Sequence, residues 1–192
     1  MAVMGMSIGM SFVVAFSLGP WLTGLVGISG LFWVTTVMGL AATLMLLLVP
    51  KVTRHPRNFQ QGYITQLKQV LKMGDLNRLH VSVFTLHLLL TAMFIYVPSQ
   101  LIQFADIPLQ HHGWVYLPLL LVSLFVAFPS IVLAEKYRKM RGIFLTAIAG
   151  IILGLLVLIF GFESKYILLL GLGLFFIAFN VMEALLPSWL SK

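Results

Sequence analysis

Charged side chains fall in short clusters along this chain, and the stretches 1 to 50, 79 to 105, 107 to 134, 142 to 162 and 166 to 182 contain no Lys, Arg, Asp or Glu. A helix of about 20 apolar residues crosses a bilayer core, so each of the last four stretches reads as one span. The first is too long for one. It is punctuated by Gly19-Pro20 and by Gly27-Ile28-Ser29-Gly30, which predicts two helices joined by a tight turn. Six spans result, at 2–25, 30–49, 79–102, 113–134, 143–161 and 166–187. A transmembrane barrel would show segments of about 10 residues alternating apolar and polar, and no such alternation occurs here. Helices satisfy their own backbone in lipid, and the expected fold class is an all-α membrane protein.

Composition agrees with the pattern. Of 192 residues 60% are hydrophobic and 9% charged, against about 25% charged in a soluble domain. With no cysteine, disulfides, thiolate metal sites and cysteine nucleophiles are excluded, and neither a metal site nor a cofactor is expected. The net charge of +7 does not point to nucleic acid, because the basic residues sit in loops between spans rather than on a soluble face. Alternate loops place Lys51, Arg54, Arg57, Lys68, Lys72, Arg78, Lys136, Arg138, Lys139, Arg141 and Lys192 on one side and Lys165 alone on the other. The positive-inside rule makes the first side, with both termini, cytoplasmic. Trp21, Trp33 and Trp114 then fall near the outer interface and Trp189 near the inner. No basic residue precedes the first span, so it does not read as a secretory signal, and further sequence upstream is expected.

The organisation is two spans (1–49), a cytoplasmic linker (50–78) and four spans (79–192). After Pro50 and Pro56 the linker carries Tyr63, Ile64, Leu67, Val70 and Leu71 at helical spacing, with Gln66, Lys68, Gln69 and Lys72 on other faces. This predicts a short amphipathic helix, either a solvated linker or one lying on the cytoplasmic leaflet.

Small residues recur on the first span: Gly5, Gly9, Ala15, Gly19 and Gly24, with Pro20 removing a backbone donor. In lipid, small side chains let a neighbouring helix approach closely. The run Gly5-x-x-x-Gly9 followed by Gly19-Pro20-x-x-x-Gly24 resembles the fifth-helix motif of antiporters of the major facilitator superfamily, with Ala15 and Thr23 standing where that motif has glycine. The stretch Ala134-Glu135-Lys136-Tyr137-Arg138-Lys139-Met140-Arg141 resembles the short acidic-basic cytoplasmic loop of the family's second half. The closing Phe179-Asn180-Val181-Met182-Glu183-Ala184-Leu185-Leu186-Pro187-Ser188 is similar to a tenth helix in bacterial members.

The resemblance implies that the six spans are helices five to ten of a twelve-helix fold. The first four and last two helices would be missing partners, and the uneven split of spans around the linker would be explained. It implies a secondary transporter of the bacterial inner membrane, coupling protons to the antiport or efflux of a small molecule. It also implies that the first span packs on the fourth, and that Glu135, Arg138 and Arg141 form a cytoplasmic gate.

Ionisable residues inside a span are costly and are functional candidates. Two qualify. His87 lies roughly 12 Å deep by helical rise, on a stripe with His80, Thr91 and Pro98, and could carry a proton near neutral pH or be a neutral, hydrogen-bonded packing residue. Glu183, which shares a face with Asn180, is only four residues from the expected inner end, roughly 6 Å deep. That depth suits an ion pair with Arg138 or Arg141, a proton-carrying role or simple snorkelling to the interface. The resemblance implies that His87 and Asn180 face one another across a polar cleft, with Thr91, on the His87 stripe, a further cavity candidate.

Two other readings compete with this one. Gly27-Ile28-Ser29-Gly30 spells the G-x-S-G of intramembrane serine proteases, but a Ser-His dyad needs hydrogen-bond contact, and Ser29 and His87 lie at opposite ends of their spans. The chain is therefore not expected to be an enzyme. The other rival is a self-contained six-helix component, such as the substrate-capturing subunit of an importer.

Overall fold

The computed structural model describes residues 2–49, 62–161 and 163–190. Within them some side chains are left undescribed, among them those of Gly5, Gly9, Pro20 and Glu135. Linker residues 50–61 and the terminal Lys192 lie outside the described residues.

All longer elements are helices: α1 (Ala2–Met45), α2 (Tyr63–Lys72), α3 (Gly74–Ala105), α4 (His112–Lys136), α5 (Met140–Gly161) and α6 (Lys165–Leu190). Among the described residues five segments are long and apolar enough to cross a membrane: Trp21–Leu48, Gly74–Ala105, Leu109–Ala134, Met140–Gly161 and Lys165–Ser188. The expected six are thus matched in kind but not in number. Gly27 breaks α1 with φ 68° and ψ 178°, the left-handed conformation that glycine adopts without a Cβ clash. The fold there is so sharp that a Cβ on Gly30 would run into that of Val26, whereas residues four apart on a straight helix are about 5–6 Å apart.

The remaining spans are joined by short turns. At the end of α3, Asp106 adopts φ 53°, a left-handed cap that Asp tolerates better than most residues. The N–H groups of Asp106 and Ile107 both donate to the Leu101 carbonyl. The α4–α5 turn contains Arg138 at φ 54°. Helix α3 starts at Gly74 rather than 79 and continues to Ala105; its 32 residues measure about 48 Å, longer than a hydrocarbon core of about 30 Å. Its first turn, with Asp75 paired to Arg78 at 3.2 Å, is polar and suited to the membrane surface.

Helix α6 is the centre of the bundle. It packs against α5, α4, α3 and α1, and Leu168, Leu172, Phe175, Phe176, Leu185 and Leu186 are fully enclosed. Its closest neighbour is α5. A Cβ on Gly154 would lie 2.9 Å from the Phe175 nitrogen and 3.1 Å from the Gly171 oxygen; one on Gly171 would lie 2.8 Å from Leu158. Gly150 meets the Ala178 methyl in the same way, at 3.0 Å. In lipid, where apolar burial alone does not drive helices together, this backbone-to-backbone approach supplies the van der Waals contact.

Helix α1 packs on α4 and α6, so the contact expected between the first and fourth spans is present. It is not made through the described part of the small-residue motif: a Cβ on Gly19 or Gly24 would meet nothing within 4 Å. Phe12 instead stacks on Phe94 of α3 at 6.3 Å, and Val13 is buried. Among the described glycines, those that seat one helix on another are in α5 and α6.

Gly154→Ala should therefore destabilise the bundle by about 1–3 kcal/mol, because the obstructing atoms are backbone. Gly142→Ala, with nothing within 4 Å of the new methyl, should be neutral or stabilising by up to about 1 kcal/mol. Reversible unfolding in mixed micelles compares the two; equal effects would refute this packing.

Candidate functional site

A hydroxyl in a membrane helix needs a partner, and the preceding turn usually provides one. The hydroxyls of Thr23, Thr43, Ser82, Ser130 and Thr146 each donate to a carbonyl four residues back. Thr91 does the same, to the His87 carbonyl at 2.8 Å, and its side chain is exposed. Although it shares a stripe with His87, its hydroxyl is turned to its own backbone.

Ser123 departs from this pattern. Its hydroxyl donates to the Leu120 carbonyl at 2.7 Å and accepts from Asn180 Nδ2 at 2.6 Å, linking α4 to α6 inside the bundle. Both side chains are buried. Asn180 is thus directed at α4 and not, as expected, across a cleft at His87.

His87 meets Glu183 instead. Its Nε2 lies 3.8 Å from Glu183 Oε2, joining α3 to α6. The carboxylate is well enclosed, with 12% of its side chain exposed, and the imidazole is half exposed at 52%. The other ring nitrogen, Nδ1, is 3.0 Å from the Val83 carbonyl. A carbonyl can only accept, so this contact places a proton on Nδ1 and leaves Nε2 facing the carboxylate. The separation fits an ion pair and exceeds a direct hydrogen bond.

Aromatic rings pack beside the pair. Phe179 meets the His87 ring edge-on at 6.3 Å and stacks on Phe175 at 6.0 Å. Phe176 contacts Phe175, Phe94 of α3 and Tyr116 of α4 at 5.7 to 6.2 Å. The pair therefore sits beside a stiff apolar wall that joins three helices. A groove of about 300 Å³ between α3 and α5, lined by Val81, Leu89, Ile148 and Leu155 and closed by Met182, includes none of the candidate residues.

The expected link from Glu183 to Arg138 or Arg141 is replaced by the His87 contact; both arginines are exposed, Arg138 on the α4–α5 turn and Arg141 in the first turn of α5. Arg138 occupies a backbone conformation that costs an L-residue about 1–2 kcal/mol. The side chain of Glu135, the third member of the expected gate, is among those not described. Sequence reasoning missed Ser123, which looks like any other span serine, and His112, which is buried at the start of α4 with Nε2 3.0 Å from the Ile107 carbonyl.

The whole chain, residues 1–192, matches the family model of the Major Facilitator Superfamily. The inner membrane transport protein YajR of Escherichia coli (strain K12) is 36% identical over 196 residues, covering 100% of this chain and 42% of that protein. The uncharacterized transporter BU466 of Buchnera aphidicola subsp. Acyrthosiphon pisum is 27% identical over 195 residues, covering 100% of this chain and 50% of that one. The chain thus spans about half the length of the curated relatives it matches. No solved structure matches it. The chain belongs to the major facilitator superfamily, a family of multi-pass membrane transport proteins, and this decides against the importer-subunit alternative.

The Asn180–Ser123 bond has a direct test. In a double-mutant cycle with Asn180→Ala and Ser123→Ala, the coupling should be about 0.5–2 kcal/mol, the range for hydrogen bonds between membrane helices. Strictly additive losses in micellar unfolding would show that the two side chains act separately.

Proposed function

We propose that this member of the major facilitator superfamily forms helices five to ten of a twelve-helix, proton-coupled secondary transporter that exports a small molecule across a bacterial inner membrane. In this reading the sharp bend at Gly27 separates two spans, giving six in all, and both termini face the cytoplasm. The partners are the bilayer, the remaining helices, protons and the transported molecule.

The observation that carries the proposal is the His87–Glu183 contact between α3 and α6. Ionisable groups facing one another inside a membrane bundle are expensive to keep and commonly form proton relays. Here the exchangeable proton sits between two different helices. Loading or losing it changes the attraction between α3 and α6, which is the physical requirement for converting a proton gradient into helix movement. Asn180, one turn before Glu183, holds α6 to α4 through Ser123, so movement at the pair is resisted on one side and free on the other. Glu135, Arg138 and Arg141 serve in this account as a cytoplasmic gate against the missing half. The strained backbone at Arg138 supports a role for that turn, since such strain clusters at switch regions.

The test uses everted vesicles containing the full-length protein and an imposed proton gradient, read by a pH-sensitive dye as a panel of small organic molecules is added. An active compound should release protons in the wild type. His87→Ala and Glu183→Gln should each bring that release to the level of empty vesicles at unchanged protein abundance, whereas Thr91→Val should preserve it. Retained proton release in both pair variants would sink the proposal.

A further inference from the structure

One face of α3 beside the His87–Glu183 pair is left open by the described helices. Phe84, His87, Thr91, Ile95 and Ile102 recur at helical spacing, which puts them on one side of the helix. Phe84 is 69% exposed and Ile95 75%, and the His87 imidazole and Thr91 lie open between them. In a bilayer an open apolar face is satisfied by lipid tails alone. A pair of ionisable groups at its edge is not, because charge inside the membrane is costly.

The neutral polar groups around the pair are already engaged. Thr91 Oγ1 donates to the His87 carbonyl at 2.8 Å, Ser99 Oγ to the Tyr96 carbonyl at 2.7 Å, and Asn180 Nδ2 to Ser123 at 2.6 Å. A sugar-like molecule, which needs several donors and acceptors to fix it, finds few here. An anion is served no better. No Lys or Arg lies between Arg78 and Lys136, in α5 beyond Arg141 or in α6 beyond Lys165. By position Glu183 is the one acidic residue inside a span: Asp75 opens α3, Asp106 caps it, Glu135 lies at the end of α4, and Glu163 lies between α5 and α6. The face therefore offers an incoming molecule apolar and aromatic contact beside a single carboxylate.

We infer that the cargo is a monovalent organic cation with an apolar body, its positive charge seated on Glu183 and its body on the Phe84–Ile95 face of α3. This cargo class deepens the transport reading above and rests on it. At 3.8 Å the imidazole is a counter-ion without a direct hydrogen bond to the carboxylate, so a second cation can take its place. Phe179, edge-on to His87 at 6.3 Å, and Phe84, one turn along α3, present rings to which a cation is attracted. The exchange balances. A protonated imidazole beside the carboxylate is neutral overall; the cation replaces it at the carboxylate, the imidazole releases its extra proton, and the site is neutral again. Cargo and proton thus exclude one another at the same oxygen atoms. The remaining titratable groups on the surrounding helices are Asp75, Arg78, His80 and Tyr96 on α3, His112, Tyr116, Glu135 and Lys136 on α4, Arg141 on α5, and Lys165 and Tyr166 on α6. Helix α1 has none. Of those on the pair's own helices the nearest in sequence is His80, seven residues from His87 and about 10 Å away by helical rise.

Equilibrium binding to the full-length protein in detergent tests the cargo class without a transport step. The probes are tetraphenylphosphonium and tetraphenylborate, which share size and shape and differ in the sign of their charge. The phosphonium should bind, release about one proton per bound cation to an indicator dye in weakly buffered solution, and bind more weakly as the pH is lowered. Glu183→Gln should weaken it by about tenfold or more and remove the proton release, whereas His87→Ala should keep it within about tenfold of the wild type. Phe84→Ala should weaken it several-fold, and tetraphenylborate should not compete. No phosphonium binding to the wild type, binding that survives Glu183→Gln, or preferential binding of the borate would each overturn the inference. Loss of binding in His87→Ala would overturn it as well, because the imidazole would then be the contact and the carboxylate only its support. If no cation binds while neutral or anionic compounds still release protons in the vesicle assay, the transport reading stands and the cargo class is refuted.

Discussion

Close approach of α5 and α6 through Gly154 and Gly171 is the contact on which the interior of this chain depends. Without side chains at those two positions, the Phe175 backbone comes within contact of α5, and α6 is drawn into the middle of the bundle. In water the burial of leucines and phenylalanines could have supplied the driving force. In lipid the surrounding tails are as apolar as the helices, so close packing and internal polar bonds must hold them together. Helix α6 uses both. Its glycine face meets α5, while Asn180 reaches Ser123 on α4 and Glu183 reaches His87 on α3.

The two polar contacts differ in what they can do. Asn180 and Ser123 are neutral, buried and at close hydrogen-bond distance, so their bond is a fixed fastening. His87 and Glu183 stand farther apart and are unequally exposed, so theirs is the looser link. One face of α6 is thus fastened to α4 by a neutral hydrogen bond, and another meets α3 through two ionisable groups.

Much of this was legible in the sequence because lipid leaves few options. Charge-free stretches revealed the spans, helical spacing revealed α2, and the scarcity of ionisable residues within spans singled out His87 and Glu183. Their pairing was not legible, and the reason is geometric. Placing the inner end of the last span at 187 put Glu183 four residues from it and too shallow to meet His87. Helix α6 continues to Leu190 and α3 begins at Gly74, so span ends read from the charges alone did not fix the relative depth of the two side chains. Small residues misled for a different reason: Gly19 and Gly24 form the more conspicuous pattern, yet open space adjoins them, while Gly150-x-x-x-Gly154 does the packing. Ser123 gave no signal at all, since a span serine ordinarily bonds to its own helix, as Ser130 does.

Proton-driven movement of α3 against α6 requires that His87 and Glu183 share a proton. Infrared difference spectroscopy across a pH titration of the protein in lipid nanodiscs reads this directly, through the protonated-carboxyl stretch that Glu183→Gln removes. The Glu183 band should titrate in the wild type, and its midpoint should move when His87 is replaced by alanine. A Glu183 band with the same midpoint in both proteins would show that the carboxyl group does not sense the imidazole, and would contradict the coupling of α3 to α6 through a proton.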